Sequence, residues 1–265
     1  MPSPKIALTT LSPTINSSTA AATGTTSGNI LEKTKPLRYY ESTSNPVSAP
    51  TDISFNLGSQ VDVGAVFIDS VNVSSAHMGI WAHATNTNPF VGSNELEVTA
   101  PVLDRKTGRY KYFWERSSTT PKQYFGLRFT SGATITEGSA VRVGSVTFIA
   151  RTNYLDVPGG YQYPLNYAVT KPQVANKFIG GTIEPVSVGE RYVKLKLPVV
   201  DYIRDTQQTA VLDILSNELS PIVFFENNSE LEKAYTFFLE SSSSSKITYK
   251  NQEVLSVTFT FIEAI

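Results

Sequence analysis

The sequence predicts a mainly β protein: a jelly-roll β-sandwich followed by a smaller α+β domain with one or two helices on an antiparallel sheet. Three observations predict it. Short runs of alternating apolar and polar residues recur through residues 30–151, divided by breaks rich in Gly, Asn and Pro. Only 17% of the 265 residues are charged, and Ser and Thr fill the polar positions instead. That balance suits strands and turns better than solvated helices. Lastly, residues 205–219 carry a helical apolar stripe, Val211, Leu212, Ile214, Leu215 and Leu219, with Asp205 and Gln208 placed to cap it.

The length suits two domains. Composition shifts divide the chain into an extended N-terminal arm (1–29), a sandwich (30–151), a linker (152–173) and a C-terminal α+β assembly domain (174–265). In the arm, Pro2, Pro4 and Pro13 oppose regular pairing, and residues 17–28 have little to bury. The sandwich is expected to start from a hairpin over residues 51–75. Ile53, Phe55 and Leu57 alternate with polar residues, Gly58 supplies the turn, and the next strand is apolar on both faces around Val66, Phe67 and Ile68. Strands follow at 77–84, 96–103, 110–115, 123–129 and 141–150, with a loop at 86–95. Pro158-Gly159-Gly160 breaks the chain in the linker. Beyond it, strands are expected at 177–185, 191–203, 222–226, 247–252 and 253–265, and a short second helix at 229–240.

Lys and Arg total 22 against 23 Asp and Glu. A net charge of −1 offers no electrostatic footprint for nucleic acid. No apolar run is long enough to insert in a membrane. Cysteine is absent, which excludes disulfides, thiolate metal sites and a cysteine nucleophile, and favours folding in a reducing cytoplasm. The N-terminal residues lack a signal-peptide core.

The chemistry-bearing residues are few. His77 and His83 stand six apart on one strand face, about 20 Å at 3.3 Å per residue, too far to share a metal. No nucleophile elbow or phosphate loop occurs, so neither an enzyme nor a cofactor is expected. Asp69, Asp104, Asp156, Asp201, Asp205, Glu184 and Glu190 are the carboxylates from which a pair could form. Asp69 is the odd one, because its strand face is otherwise apolar; an exposed strand end explains it better than a cation or sugar ligand. Lys106, Arg109 and Lys111 are expected on a solvated loop. Trp81, Trp114, Tyr110, Tyr112 and His77 are the candidate contacts to a glycan or a protein interface, because aromatic faces stack on sugars and also supply interface area. The loops at 74–77 and 86–94 are better placed for contact than the buried strands. Sequons at Asn16, Asn72 and Asn227 have no secretion signal to use them.

Two resemblances follow from quoted residues. Ile53-Ser54-Phe55-Asn56-Leu57-Gly58, Tyr124-Phe125-Gly126-Leu127-Arg128-Phe129 and Val141-Arg142-Val143-Gly144-Ser145-Val146 resemble the strand motifs of galactose-binding-like, or discoidin-like, jelly rolls, with Asn56 where the family has Asp. The resemblance implies that fold over residues 30–151 and, in many members, sugar or lipid binding through loops at one end. It carries over no sugar-binding residue set. Gly181-Thr182-Ile183-Glu184-Pro185, Arg191, Leu212, Leu215, residues 221–225 and Phe261-Ile262-Glu263 are similar to the C-terminal half of phage tail-gene virion proteins. This implies a non-enzymatic structural component of a phage tail or baseplate, partnered by other virion proteins and copies of itself. The alternative is a carbohydrate-binding module recognising host surface glycans.

Overall fold

In the computed structural model the described residues are 5–8, 11–22, 25–31, 39–43, 50–74, 77–92, 101–104, 108–130, 132–157, 166–170, 173–177, 183–187, 192–197, 199–216, 221–225, 234–240 and 246–263. The fold is mainly β, and every strand pair among these residues is antiparallel.

Two four-stranded sheets form a sandwich. One orders Thr14–Ser18, Thr51–Val61, Lys122–Phe129 and Met78–His83; the other orders Ser145–Ala150, Val63–Val71, Arg109–Glu115 and Val102–Asp104. Their inner faces enclose one core, in which Phe55 and Phe125 both meet Phe148. The expected hairpin is not a hairpin. Thr51–Val61 and Val63–Val71 lie in opposite sheets, and the chain crosses between them at Asp62. Gly58 does take a positive φ of 80°, but it serves an irregularity between Asn56 and Val61, after which the strand resumes.

Val63–Val71 is buried at all nine positions, as its two-sided apolar pattern implies. Val66 and Ile68 enter the sandwich core. Ala65 and Phe67 point the other way and pack with Ala7, Val223 and Ala234 of a second body. That body is a seven-stranded sheet, ordered Tyr154–Asp156, Lys5–Leu8, Ile222–Phe225, Tyr235–Leu239, Thr260–Glu263, Tyr192–Lys196 and Asn166–Thr170. Its other face shares a core with the sheet of Val200–Ile203, Val254–Thr258 and Lys246–Tyr249 and with the helix Arg204–Ser216.

Residues expected in the arm are therefore built into both bodies. Lys5–Leu8 pairs on both sides, putting Ile6 and Leu8 in one core and Ala7 in the other, while Thr14–Ser18 joins the sandwich. Pro13 stands just before Thr14–Ser18 and outside its ladder, while Pro2 and Pro4 lie outside the described residues. Residues expected in the linker likewise supply Tyr154–Asp156 and Asn166–Thr170.

The helix buries Val211 and Ile214, but Leu212 is exposed. Its first turn is closed by Gln207, whose side-chain oxygen accepts from the Ile203 N–H at 2.9 Å, and Gln208 accepts instead from Arg204 Nε. The second helix is not formed over Tyr235–Leu239, which is a strand inside the large sheet. Phe237 there meets Phe224 and Phe261, and this cross-strand aromatic packing overrides the local helical pattern. Residues 229–233, most of the strand expected at 96–103, and Lys106, Gly181-Thr182, Glu190, Arg191, Leu219 and Asn227 lie outside the described residues.

Candidate functional site

The outer face of the first sandwich sheet carries the most developed site. Strand alternation turns Ile53, Phe55, Phe125 and Leu127 inward, and so turns Asp52, Ser54, Arg128, Gly126 and Trp81 outward. Asp52 and Arg128 are directly opposed in the ladder. Their side chains meet at two points, Nε to Oδ1 and a terminal nitrogen to Oδ2, both 2.6 Å. This fork is the strong form of an ion pair. The hydrogen bonds that Arg128 donates to Asp52 raise its guanidinium above the ordinary value, against the effect of burial.

Aromatic rings hold the pair in place. The Arg128 guanidinium lies 5.3 Å from the Trp81 ring centre and 4.5 Å from that of Phe90, and the two rings meet edge-on at 5.7 Å. Two glycines make room for them. A methyl group on Gly126 would come within 2.6 Å of the Phe90 ring and 2.8 Å of Pro89; one on Gly79 would come within 2.5 Å of Trp81. Gly126 is thus the seat on which the following loop, residues 84–92, folds down over the sheet.

That loop is tied by a succession of side-chain caps. His83 Nδ1 accepts from the backbone N–H groups of Thr85 (3.1 Å) and Asn86 (2.8 Å). Asn86 accepts from the Asn88 N–H, and Asn88 from the Phe90 N–H. Across the gap, Asn16 Nδ2 donates to the Thr87 carbonyl at 2.7 Å. Asn16 sits at a bulge in the edge strand, which frees it from the ladder and aims it at the loop.

Between loop and edge strand lies an open groove of about 570 Å³. Asn16, Ser17 and Thr19 form one wall, Thr87, Asn88 and Phe90 the other, and Asp52 and Arg128 line it as well. It offers hydroxyl and amide groups, one carboxylate already committed to a guanidinium, and one aromatic ring.

The expected contact residues are dispersed. Trp81 lies half-buried beside this groove. Trp114 and Tyr112, 4% and 1% exposed, belong to the sandwich core in the opposite sheet and offer a ligand no surface. The Tyr112 hydroxyl donates to the Val73 carbonyl, and burial raises it well above the ordinary phenol range. Tyr110 packs against the same core. His77 Nδ1 lies 3.2 Å from Thr130 Oγ1, away from the groove. Of the two expected contact loops, 86–94 supplies Thr87, Asn88 and Phe90; within 74–77, residues 75 and 76 lie outside the described residues. Asp52, Arg128 and Asn16 escaped sequence reasoning. The usable signal was two glycines, Gly79 and Gly126, at outward positions of adjacent strands.

Asp69 and Lys111 depart from expectation in a different place. Asp69 is neither an exposed strand end nor a surface ligand, and Lys111 is not on a solvated loop. Both are buried between the sandwich and the seven-stranded sheet. Lys111 Nζ lies 3.1 Å from Asp104 Oδ2, donates to the Ala234 carbonyl at 2.7 Å and lies 4.6 Å from the Tyr235 ring centre. Ser70, at a bulge with φ 57°, donates its N–H to Asp69. Burial pushes the Asp69 carboxyl up, and the nearby Asp104 charge adds to this. Burial also works against the Lys111 charge, but Asp69 and Asp104 outweigh it and hold the ammonium above its ordinary range. Among the described residues no group of three or more His, Asp or Glu side chains could hold a metal ion.

No protein-family model and no curated protein matches the chain. Among solved structures it is similar to carbohydrate-binding modules. One is CBM32-1 from a family 31 glycoside hydrolase of Clostridium perfringens, at 8% identity and TM-score 0.41, covering 54% of this chain and 96% of that one. Another is chitosan-binding module 1 of a chitosanase/glucanase from Paenibacillus sp. IK-5, at 12% identity and TM-score 0.42, covering 53% and 97%. A third is the family 32 module of C. perfringens NanJ in complex with galactose, at 13% identity and TM-score 0.41, covering 57% and 99%. Nothing in these comparisons indicates a phage tail or baseplate protein.

Proposed function

We propose that the N-terminal sandwich is a non-catalytic carbohydrate-binding module and that its groove takes a neutral saccharide. The observation that carries this reading is the Asp52–Arg128 fork lining a groove otherwise walled by amides and hydroxyls. The two charges cancel, so the groove has no net field to draw an ionic ligand. They also stand side by side as acceptor and donor. Adjacent sugar hydroxyls, each able to donate and accept, match that arrangement. Asn16, Asn88 and Thr87 add neutral polar groups, and Phe90 provides an apolar face for ring C–H groups. Hydrolysis of a glycoside ordinarily uses two carboxylates. Among the described residues that line the groove Asp52 is the one carboxylate, and it is engaged with Arg128.

Titration calorimetry against neutral and acidic oligosaccharides tests the reading. A neutral saccharide should bind, and Asp52→Ala and Asn88→Ala should each weaken it about tenfold or more, the scale of one or two lost polar contacts. The urea midpoint of Asn88→Ala should stay near that of the parent. Absence of binding by every neutral saccharide at millimolar concentration would remove the proposal.

A further inference from the structure

One end of the groove loop is capped by a single imidazole lone pair. His83 Nδ1 accepts two backbone N–H groups at once, those of Thr85 and Asn86. Acceptance requires that Nδ1 carry no proton, so the hydrogen of the neutral ring sits on Nε2. The next links depend on it. The Asn86 backbone held by His83 presents the side-chain oxygen that receives the Asn88 N–H, and Asn88 in turn receives the Phe90 N–H. Thr87, Asn88 and Phe90 are the groove wall.

We infer that His83 is the positioning residue of this wall and that protonating it unlatches the loop. A protonated imidazole donates from both nitrogens, so the double cap is lost and a cation faces two N–H donors. Among the described residues no acid forms a hydrogen bond or ion pair with His83. Loop 84–92 contains no titratable side chain. Tyr124 lies opposite His83 in the ladder, Lys122 precedes it on the same strand, and Asp52 is already forked to Arg128 further along the sheet. His77 immediately precedes the strand that His83 ends. The far side of the loop has its own anchors, Phe90 on Gly126 and Thr87 on Asn16. Acid therefore loosens the wall at its His83 end, leaving the sandwich folded.

The consequence for ligand affinity rests on the groove reading above, but the test does not. Nitrogen-15 NMR of the full chain should show the His83 ring protonated on Nε2 at neutral pH. The Thr85 and Asn86 amides should then be protected from exchange, and should lose about tenfold or more of that protection in the same pH step that protonates the ring. Phe90 ring signals should move in that step. His83→Asn, which keeps an acceptor at every pH, should retain the protection and abolish the step. His83→Leu should lack protection throughout. Amides that ignore the His83 titration, or a neutral ring protonated on Nδ1, would overturn the inference. A loop that unlatches in a protein that binds no saccharide would leave the inference standing and remove the binding proposal instead.

Discussion

Lys111 Nζ lies 3.1 Å from Asp104 Oδ2 in a layer that β-sheets close from both sides, with the two side chains 3% and 6% exposed. This pair and Asp69 place buried charged groups beside the apolar contact between Phe67, Phe113 and Ile149 of the sandwich and Ala7, Val223 and Ala234 of the second body. Lys111 crosses that contact to reach the Ala234 carbonyl. The sandwich and the large sheet thus share both packing and a charge-assisted hydrogen bond.

Removing the cation alone should be costly. Lys111→Ala leaves Asp69 and Asp104 buried without it, and breaking a buried pair in this way costs about 3–5 kcal/mol. Replacing both partners, Lys111→Met with Asp104→Leu, removes that pair's charges together and leaves Asp69, whose carboxyl burial already pushes towards its neutral form, so much of the loss should be recovered. Urea denaturation of the two variants checks this. A single Lys111→Ala change as mild as a surface substitution would show that the cluster contributes nothing to stability.

The Asp69 carboxyl gives the cluster a pH dependence of definite sign. Its value in the folded protein is raised, so the folded state holds this proton to higher pH than the unfolded chain. The contribution of Asp69 to stability is therefore fully present below the ordinary carboxylate range and is lost as pH rises through the raised value. Lys111 is also raised, so its contribution persists at neutral pH and is lost only above the ordinary lysine range. Asp69→Asn should consequently flatten the decline in stability from acid towards neutral pH. Thermal unfolding of parent and variant across that window measures it; parallel pH curves would refute the assignment.

The N-terminal strand should be indispensable to the second body. Ile6 and Leu8 are buried in its core, and Lys5 pairs with Glu115 of the sandwich at 2.6 Å. Losing two such apolar side chains costs about 3–6 kcal/mol at the usual 1.5–3 kcal/mol each. Deleting residues 1–8 should lower the urea midpoint and open the large sheet to proteolysis at Tyr154–Asp156 and Ile222–Phe225, the strands that flank the gap. An unchanged midpoint would mean that the strand docks without stabilising.

Much of the fold was legible in the residue pattern. The two-sided apolar run around Phe67 indicated a strand covered on both faces, and it is one. The alternation of Ile53, Phe55 and Leu57 with Ser54 and Asn56 indicated a half-buried strand, and the three apolar side chains pack in or against the core. Pairing partners were not legible. Gly58 marks a break in a strand whether the chain turns back or continues through a bulge, and only the opposite strand, with Val61 paired to Lys122, distinguishes the two. Tyr235–Leu239 has apolar residues at spacings open to helix or strand, and Phe224 and Phe261 on either side decided for strand.

The site was less legible, for a geometric reason. Asp52 and Arg128 are distant in sequence and become a fork only because the ladder sets them opposite each other. Trp81 and Trp114 look equivalent as aromatic candidates, yet one lies beside a groove and the other in the core, because strand alternation turns Trp81 to the outer face of its sheet and Trp114 to the inner face of the other. By itself the sequence determined the β class, the alternation of faces, the absence of thiol chemistry and the polar character of residues 86–94, since these depend on composition and on neighbours along the chain. The tertiary structure alone decided the strand partners, the burial of Asp69 and Lys111, and the groove that Asn16, Asp52, Asn88 and Arg128 line together, since these depend on residues brought together only by long-range pairing.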